Sequence, residues 1–389
     1  MVQRGNKCAL SCRIAVLVVL TILVRILPVE AETQLSGKVA SIDSYFWTPG
    51  IAINPHSNKV YIASSSPNEL TVYNATDYSR LGTIPENYDP FAVAVNPVTD
   101  NIYVSHSCNC EQGKLITVID GKTDKVIKRL EGIMHGSLFV NPTGDKIYSI
   151  NGTAVSVIDG QSNTILRTQK IGIPDDLLVG IMTINPLTNK AYGTDQNKTI
   201  VSLDLETYEI TRTNITLTPA RYPNATDNFV RGLVISPTSN LLYIIDEPQY
   251  NCEEQCLPIG HLVTVNASSG NIINSVMGNV GGFWKDLTIN VKSNVVYVME
   301  GSGFVAVNAT TNSILDKYHI PEMQEYYPRA ILVNSETGSV SLVAPNAAVT
   351  VPSLGTIPEF GSSIVFLIIA MSFGAVLMLS KQYVRSSRK

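Results

Sequence analysis

A tight Asn-Pro turn followed, seven residues after its Asn, by a tyrosine constrains this chain more than any other feature. In the stretch GIAINPHSNKVYIAS, residues 50–64, two short runs with alternating apolar residues (51–53 and 59–63) flank a turn at Asn54-Pro55. Period-two alternation on both sides of a turn signal reads as a β-hairpin. The pattern returns at Asn96-Pro97, Asn141-Pro142 and Asn185-Pro186, and in weaker form at Ser236-Pro237, Asn290-Val291 and Asn334-Ser335. Tyr61, Tyr103, Tyr148, Tyr192, Tyr243 and Tyr297 hold the same register, and Ser341 replaces the tyrosine in the seventh copy. Successive anchors lie 42, 45, 44, 51, 54 and 44 residues apart, close to the roughly 40 to 50 residues of a four-stranded propeller blade.

Third and fourth strands are visible in stretches such as LITVIDGKTDKVIKRLEG (115–132) and AVSVIDGQSNTILRTQ (154–169), where a polar turn separates two β-rich runs. One such sheet cannot bury both faces alone, so neighbours must stack, and closing them in a ring leaves only short protected edges. The expected fold is all-β, a seven-bladed β-propeller of four-stranded blades over residues 32–352. The last repeat supplies three strands, 330–333, 340–344 and 347–351, and the orphan run GKVASID, residues 37–43, is expected to complete it as the fourth and so close the ring.

The pattern N-P-x-T-N-K-x-Y followed by V-x-V-I-D resembles the YVTN family of β-propeller repeats of archaeal and bacterial surface proteins, over residues 37–352. That resemblance implies the seven-bladed ring; the family has no single activity, so the fold leaves function open.

The two ends read as targeting segments. Arg4, Lys7 and Arg13 precede an apolar run, 14–24, and then Val29-Glu30-Ala31, the layout of a secretory signal peptide over residues 1–31. At the other end a linker and short motif, 353–361, precede an apolar stretch, 362–380, of bilayer-spanning length, and a basic tail, 381–389. The positive-inside rule keeps that tail cytoplasmic and the ring outside. The order of Pro358-Glu359-Phe360-Gly361, span and basic tail resembles the PEFG-type sorting signal, which implies an archaeosortase-like processing enzyme as partner and a location on the outer face of the cell membrane; a permanent single-pass anchor is the other reading. A net charge of −4 offers no basic face, which excludes nucleic acid as a partner.

Candidate sites fall on the second-to-third and blade-to-blade connections, which share one face of a propeller. Two of these are long, 105–114 and 246–260, and carry the four cysteines beyond the leader: Cys108, Cys110, Cys252 and Cys256. Two readings stand. On an exported chain the cysteines form disulfides; alternatively His106, Cys108 and Cys110, with Cys252, Cys256, His261 and His135, present soft ligands to copper or zinc. Trp47, Tyr88, Asp89, Arg231, Trp284, Lys285 and Arg329 fall on the same face and suit a carbohydrate, peptide or protein ligand.

Of seven N-x-S/T sequons, those at Asn74, Asn266 and Asn308 occupy one equivalent turn in three blades and are the glycosylation candidates. Asp120, Asp159 and Asp204, recurrent at the end of third strands, read as turn residues that satisfy backbone donors. No G-x-S-x-G, H-E-x-x-H or phosphate-loop motif occurs. The functional expectation is a non-catalytic surface binding or structural module without a cofactor, with a copper, zinc or redox enzyme built on the Cys/His loops as the alternative.

Overall fold

The computed structural model describes residues 33–42, 50–86, 88–107, 114–133, 136–151, 153–172, 177–195, 199–213, 225–250, 260–277 and 284–352. These form seven sheets, one per repeat, each a meander with strands in chain order. The sheets hold the strand sets from Ile51–Asn54 to Arg80–Pro85, Pro90–Val95 to Lys125–Glu131, Ser137–Asn141 to Thr164–Lys170, Leu177–Asn185 to Ile210–Thr213, Ala225–Ser236 to Ile272–Met277, Trp284–Asn290 to Ile314–His319, and Ala330–Val333 to Ala347–Val351. They are blades 1 to 7. First strands of neighbouring blades touch in turn around the ring, and that of blade 7 meets that of blade 1.

The core is seven cores. Each hydrophobic cluster joins two adjacent blades: Tyr61, Leu70 and Val72 meet Ile102, Val104 and Ile119 between blades 1 and 2, and Ile42, Val343 and Ala348 meet Val60, Ile62 and Tyr73 between blades 7 and 1. Because side chains alternate across a strand, each middle strand serves two cores at once. In Lys146–Ile150, Ile147 packs towards blade 2 and Tyr148 towards blade 4.

Closure uses the amino-terminal arm twice. Strand β2, Ala40–Ser41, pairs antiparallel with Ala347–Val351 and supplies the fourth strand of blade 7; of the expected run 37–43, these two residues form the ladder among the described ones, and the Ile42 N–H adds a bond to Asn346 O (3.2 Å). Strand β1, Thr33–Gln34, adds a parallel fifth strand to blade 6 against Tyr318 and His319, which the sequence did not suggest because the strand is two residues long. Leu35 and Leu315 then join the same core. In blades 1, 2, 3 and 5 the residue corresponding to Leu315, namely Leu81, Ile127, Leu166 and Ile273, is skipped by the ladder as a bulge and is about half exposed. Such bulges interrupt an edge that could otherwise recruit another strand.

The blades are locked together at one end by the repeated turn. Each anchor side chain accepts from backbone N–H groups of its own turn, as Asn54 Oδ1 does from His56 and Ser57. Its amide then donates to the residue four after the neighbouring anchor: Asn54 to Asp100 Oδ1 (2.6 Å), Asn96 to Asp145 Oδ1 (2.6 Å), Asn141 to Asn189 Oδ1 (2.8 Å), Asn185 to Asn240 Oδ1 (2.8 Å) and Asn334 to Asn58 Oδ1 (3.2 Å). Ser236 Oγ does the same to Asn294 (2.8 Å). The receiving residues all have positive φ, 45° to 65°, the left-handed region that Asn and Asp tolerate best among residues with a side chain. In blade 7 that residue is Gly338 (φ 73°), which presents no side chain to Asn290. This seam is bridged instead by Lys292 to Glu336 (3.2 Å) and by Asp286 Oδ2, which accepts the Ile331 N–H (3.0 Å).

The repeated tyrosine makes a second lock. Tyr61 donates to Asp124 Oδ1 (2.8 Å) and Tyr243 to Asn312 Oδ1 (2.6 Å), each reaching the third-to-fourth strand turn of the next blade. Burial raises the Tyr243 phenol to about 12, so it stays a neutral donor. Where Ser341 stands in blade 7, it bonds Thr350, which donates to Ala75 O of blade 1 (2.9 Å), and the buried ring of Tyr78 comes from blade 1 itself.

The links separate by strength. A neutral hydrogen bond contributes about 1 kcal/mol net, so Asn185→Ala should destabilise the ring more than Asn290→Ala, which loses only its own turn bonds. Gly338→Asn, placed at a positive φ its six counterparts already occupy, should restore the missing link and raise Tm. Thermal unfolding of the three variants checks the ranking; a Gly338→Asn variant less stable than wild type would refute the account of this seam.

Candidate functional site

The two ends of the ring differ in kind. At the locked end every described connection is a short turn, and its anchor Asn, left-handed Asn or Asp and turn Asp side chains are spent on their own turn or the neighbouring one. Asp120 Oδ1 accepts from Lys122 and Thr123, Asp159 Oδ1 from Ser162, and Asp204 Oδ1 from Glu206 and Thr207, as expected of turn residues. These bonds hold all three carboxyls below the usual range.

The three sequon turns belong to the same scheme. Asn74, Asn266 and Asn308 cap the turn through Oδ1, while the hydroxyls of Thr76, Ser268 and Thr310 accept the amides of Asn58, Asn240 and Asn294 (2.9, 2.8 and 2.9 Å). Where the left-handed residue is Asp145 instead of Asn, the turn carries Gln161, whose amide donates to it, and Gly160, because a Cβ there would come within 2.1 Å of Asp145 Oδ1. N-A-[ST] is thus explained as a turn that receives an amide, whatever modification it carries.

The other end holds the second-to-third and blade-to-blade connections, and with them the described candidates Tyr88, Asp89, Arg231 and Arg329. Tyr88 and Asp89 lie half-buried on the way into blade 2. Arg231 is exposed at the bulge between Val230 and Gly232 in the first strand of blade 5, and Arg329 is exposed just before blade 7, its N–H donating to Val343 O (2.8 Å). Trp284 and Lys285 open the first strand of blade 6, but their side chains, together with Trp47, His135, the four cysteines and Pro358–Gly361, lie outside the described residues. Of the positions that are described, Tyr88 and Asp89 lead into blade 2, Arg231 stands on blade 5 and Arg329 precedes blade 7, spread around the ring rather than gathered in one pocket. A shallow open groove between blades 6 and 7 is lined by Pro321, Glu322, Gln324, Glu325, Tyr326 and Tyr327.

A buried acid–base cluster sits at this end of the seam between blades 1 and 2. Glu86 follows the last strand of blade 1, His106 ends the second strand of blade 2, and Thr117 lies on its third strand. His106 and Thr117 are fully buried and Glu86 nearly so. Thr117 Oγ1 stands 2.9 Å from His106 Nε2 and 3.1 Å from Glu86 Oε2, while His106 Nδ1 faces Tyr88 O at 3.3 Å. The Tyr88 ring meets the imidazole edge-on, centroids 6.2 Å apart. Ser107 clamps the same segment, donating Oγ to Asp89 Oδ2 (2.6 Å) and N–H to Asp89 O (2.9 Å). Burial pushes Glu86 up to about 6 and His106 down to about 4.

This placement bears on the metal reading. Both ring nitrogens of His106 already have protein partners, and among the described residues no group of three His, Cys, Asp or Glu side chains could hold a metal ion. His261 opens the third strand of blade 5 opposite Asp246. Sequence reasoning missed Glu86 and Thr117. Thr117 matches Thr71 and Ser156 in the repeat and so reads as an ordinary strand residue, and nothing local marks Glu86 as buried. It also missed Asp286, whose buried carboxyl is pushed up to about 7 while it joins the first strands of blades 6 and 7.

Glu86→Gln is expected to keep a donor to Thr117 and remove the charge. A carboxyl whose folded pKa is raised favours the fold when protonated, so wild type loses this contribution as pH rises from about 4.5 through 6. The variant should therefore gain about 2 kcal/mol on wild type above pH 7 and nothing near pH 4; thermal unfolding at the two pH values reads this, and a Tm below wild type at pH 8 would refute it. No family model and no curated protein matches the chain in sequence. Among solved structures it is similar to a chain of Kuenenia stuttgartiensis hydrazine synthase, 13% identical, covering 80% of this chain and 97% of that one at a TM-score of 0.59, a likeness of fold.

Proposed function

We propose that this chain is an exported, membrane-tethered seven-bladed ring that acts as a binding or structural module at an archaeal cell surface. The single observation that carries this reading is the asymmetry of the ring. One end is consumed by blade-to-blade locks, whereas the other carries the long connections, the groove with Tyr326, Tyr327, Glu322 and Glu325, and exposed Arg231 and Arg329. A rigid scaffold with variable loops at one end is a common basis for recognition. Aromatic faces beside carboxylates suit a carbohydrate or a peptide. The leader, the PEFG-like motif and the apolar stretch 362–380 support export and tethering; among the described residues no helix is long and apolar enough to cross a membrane, and that stretch lies outside them.

A second reading, a copper, zinc or redox enzyme, draws on the Cys/His loops and on a neighbour in fold that is named a synthase. The two separate by mass and metal content of the purified chain. Under the binding reading, alkyl groups add to Cys108, Cys110, Cys252 and Cys256 only after reduction, no stoichiometric metal is found, and Tyr326→Ala/Tyr327→Ala weakens capture on a glycan or peptide array about tenfold or more. Thiols that react without reductant once metal is chelated, with about one copper or zinc released per chain, would sink it.

A further inference from the structure

The hydrogen-bond geometry of Glu86, Thr117 and His106 fixes how many protons the cluster can hold. Tyr88 O can only accept, so His106 Nδ1 carries a proton. Thr117 has one hydroxyl proton for two neighbours, His106 Nε2 and Glu86 Oε2, which lie 3.7 Å from each other. If the hydroxyl donates to Nε2, Glu86 must be protonated to donate to Thr117. If it donates to Glu86, Nε2 must be protonated to donate to Thr117. Both arrangements hold the same single dissociable proton, on the carboxyl or on the imidazole, and both leave the cluster neutral overall.

Any other count breaks a bond in a site without water-facing surface. Removing the proton leaves two lone pairs competing for one hydroxyl, or sets Nδ1 against Tyr88 O, and leaves a buried carboxylate whose Oε1 already has no hydrogen-bond partner. Adding a second proton gives Thr117 two donors and its own hydrogen nowhere to go. The other charged groups acting on the pair are Arg129, from the outer strand of blade 2, and Asp89, from the connection. Arg129 opposes a charged imidazole and favours the carboxylate; Asp89 does the reverse for the imidazole.

We propose that Glu86, Thr117 and His106 hold one proton in common, and that its loss loosens the segment at Tyr88 and Asp89 that leads into blade 2 on the variable face. The link is mechanical. His106 holds Tyr88 O, the next residue Ser107 holds Asp89 by two bonds, and the Glu86 N–H donates to Asn68 O (2.9 Å). When the bond between His106 and Tyr88 fails, the segment keeps only its flanking clamps. A ligand that contacts this part of the variable face would bind differently on the two sides of the transition, and the inference stands whatever that ligand is.

Hydrogen exchange of the whole chain in detergent, read by mass spectrometry from pH 4.5 to 8 and corrected for intrinsic rates, tests this. In wild type and in Thr117→Ser, which keeps the hydroxyl, exchange of the Glu86 and Ser107 amides should accelerate about tenfold across the transition. In Glu86→Gln, which mimics the protonated carboxyl, it should stay slow throughout. Protection that is flat with pH in wild type, or an identical pH profile in Glu86→Gln, overturns the proposal. A histidine ¹⁵N spectrum gives an independent check: a neutral His106 protonated at Nε2 at pH 5 would contradict the proton count.

Discussion

The interaction on which this ring depends is an amide passed from one blade to the next. At five of the seven seams an Asn at the start of the first turn spends its oxygen on its own backbone and its NH₂ on a left-handed Asn or Asp in the neighbouring turn, and at a sixth the Ser236 hydroxyl makes the link. The two halves of one side chain thus shape the turn and join the blades. A cyclic arrangement needs this because no blade has a core of its own: each hydrophobic cluster exists only when two blades are in register. Fixing register at the turns lets seven small interfaces behave as one cooperative structure.

Departures from the repeat are compensated where they occur. Gly338 deprives one seam of its amide link, and that seam is the one spanned by the arm with β1 on blade 6 and β2 on blade 7, by the Lys292–Glu336 pair and by the Asp286 carboxyl. Ser341 deprives another seam of its tyrosine, and there Thr350 of the same blade bonds across to Ala75 O while the buried ring of Tyr78 comes from the other side. Each substitution is met locally because the defect it leaves, an unfilled volume or an unpaired donor, is local.

Spending one end on locks leaves the other end free to vary. There the chain tolerates long connections, exposed aromatics and arginines, and a buried carboxyl–hydroxyl–imidazole cluster that a purely structural seam does not require. The cluster is also where folding moves a proton. In the unfolded chain near pH 5.5 the imidazole carries it; in the fold, where burial raises Glu86 to about 6 and lowers His106 to about 4, the cluster holds the same single proton shifted towards the carboxyl. The pair therefore contributes little pH dependence between these values while its parts, taken singly, would contribute much.

What the sequence by itself determined was the number of blades, the strand order within each, the turn chemistry of Asp120, Asp159 and Asp204, and the source of the closing strand. All of these are written in local patterns of period two and in turn residues whose backbone preferences act over a few positions. What only the tertiary structure decided was the meaning of residues whose partners lie a blade away. The sequon hydroxyls became amide acceptors, β1 found the edge of blade 6, Asp286 bridged two inner strands, and Glu86 met His106 through Thr117. Those relations depend on which side chains face each other across a seam and how far water is kept from them, quantities that arise only when the ring closes.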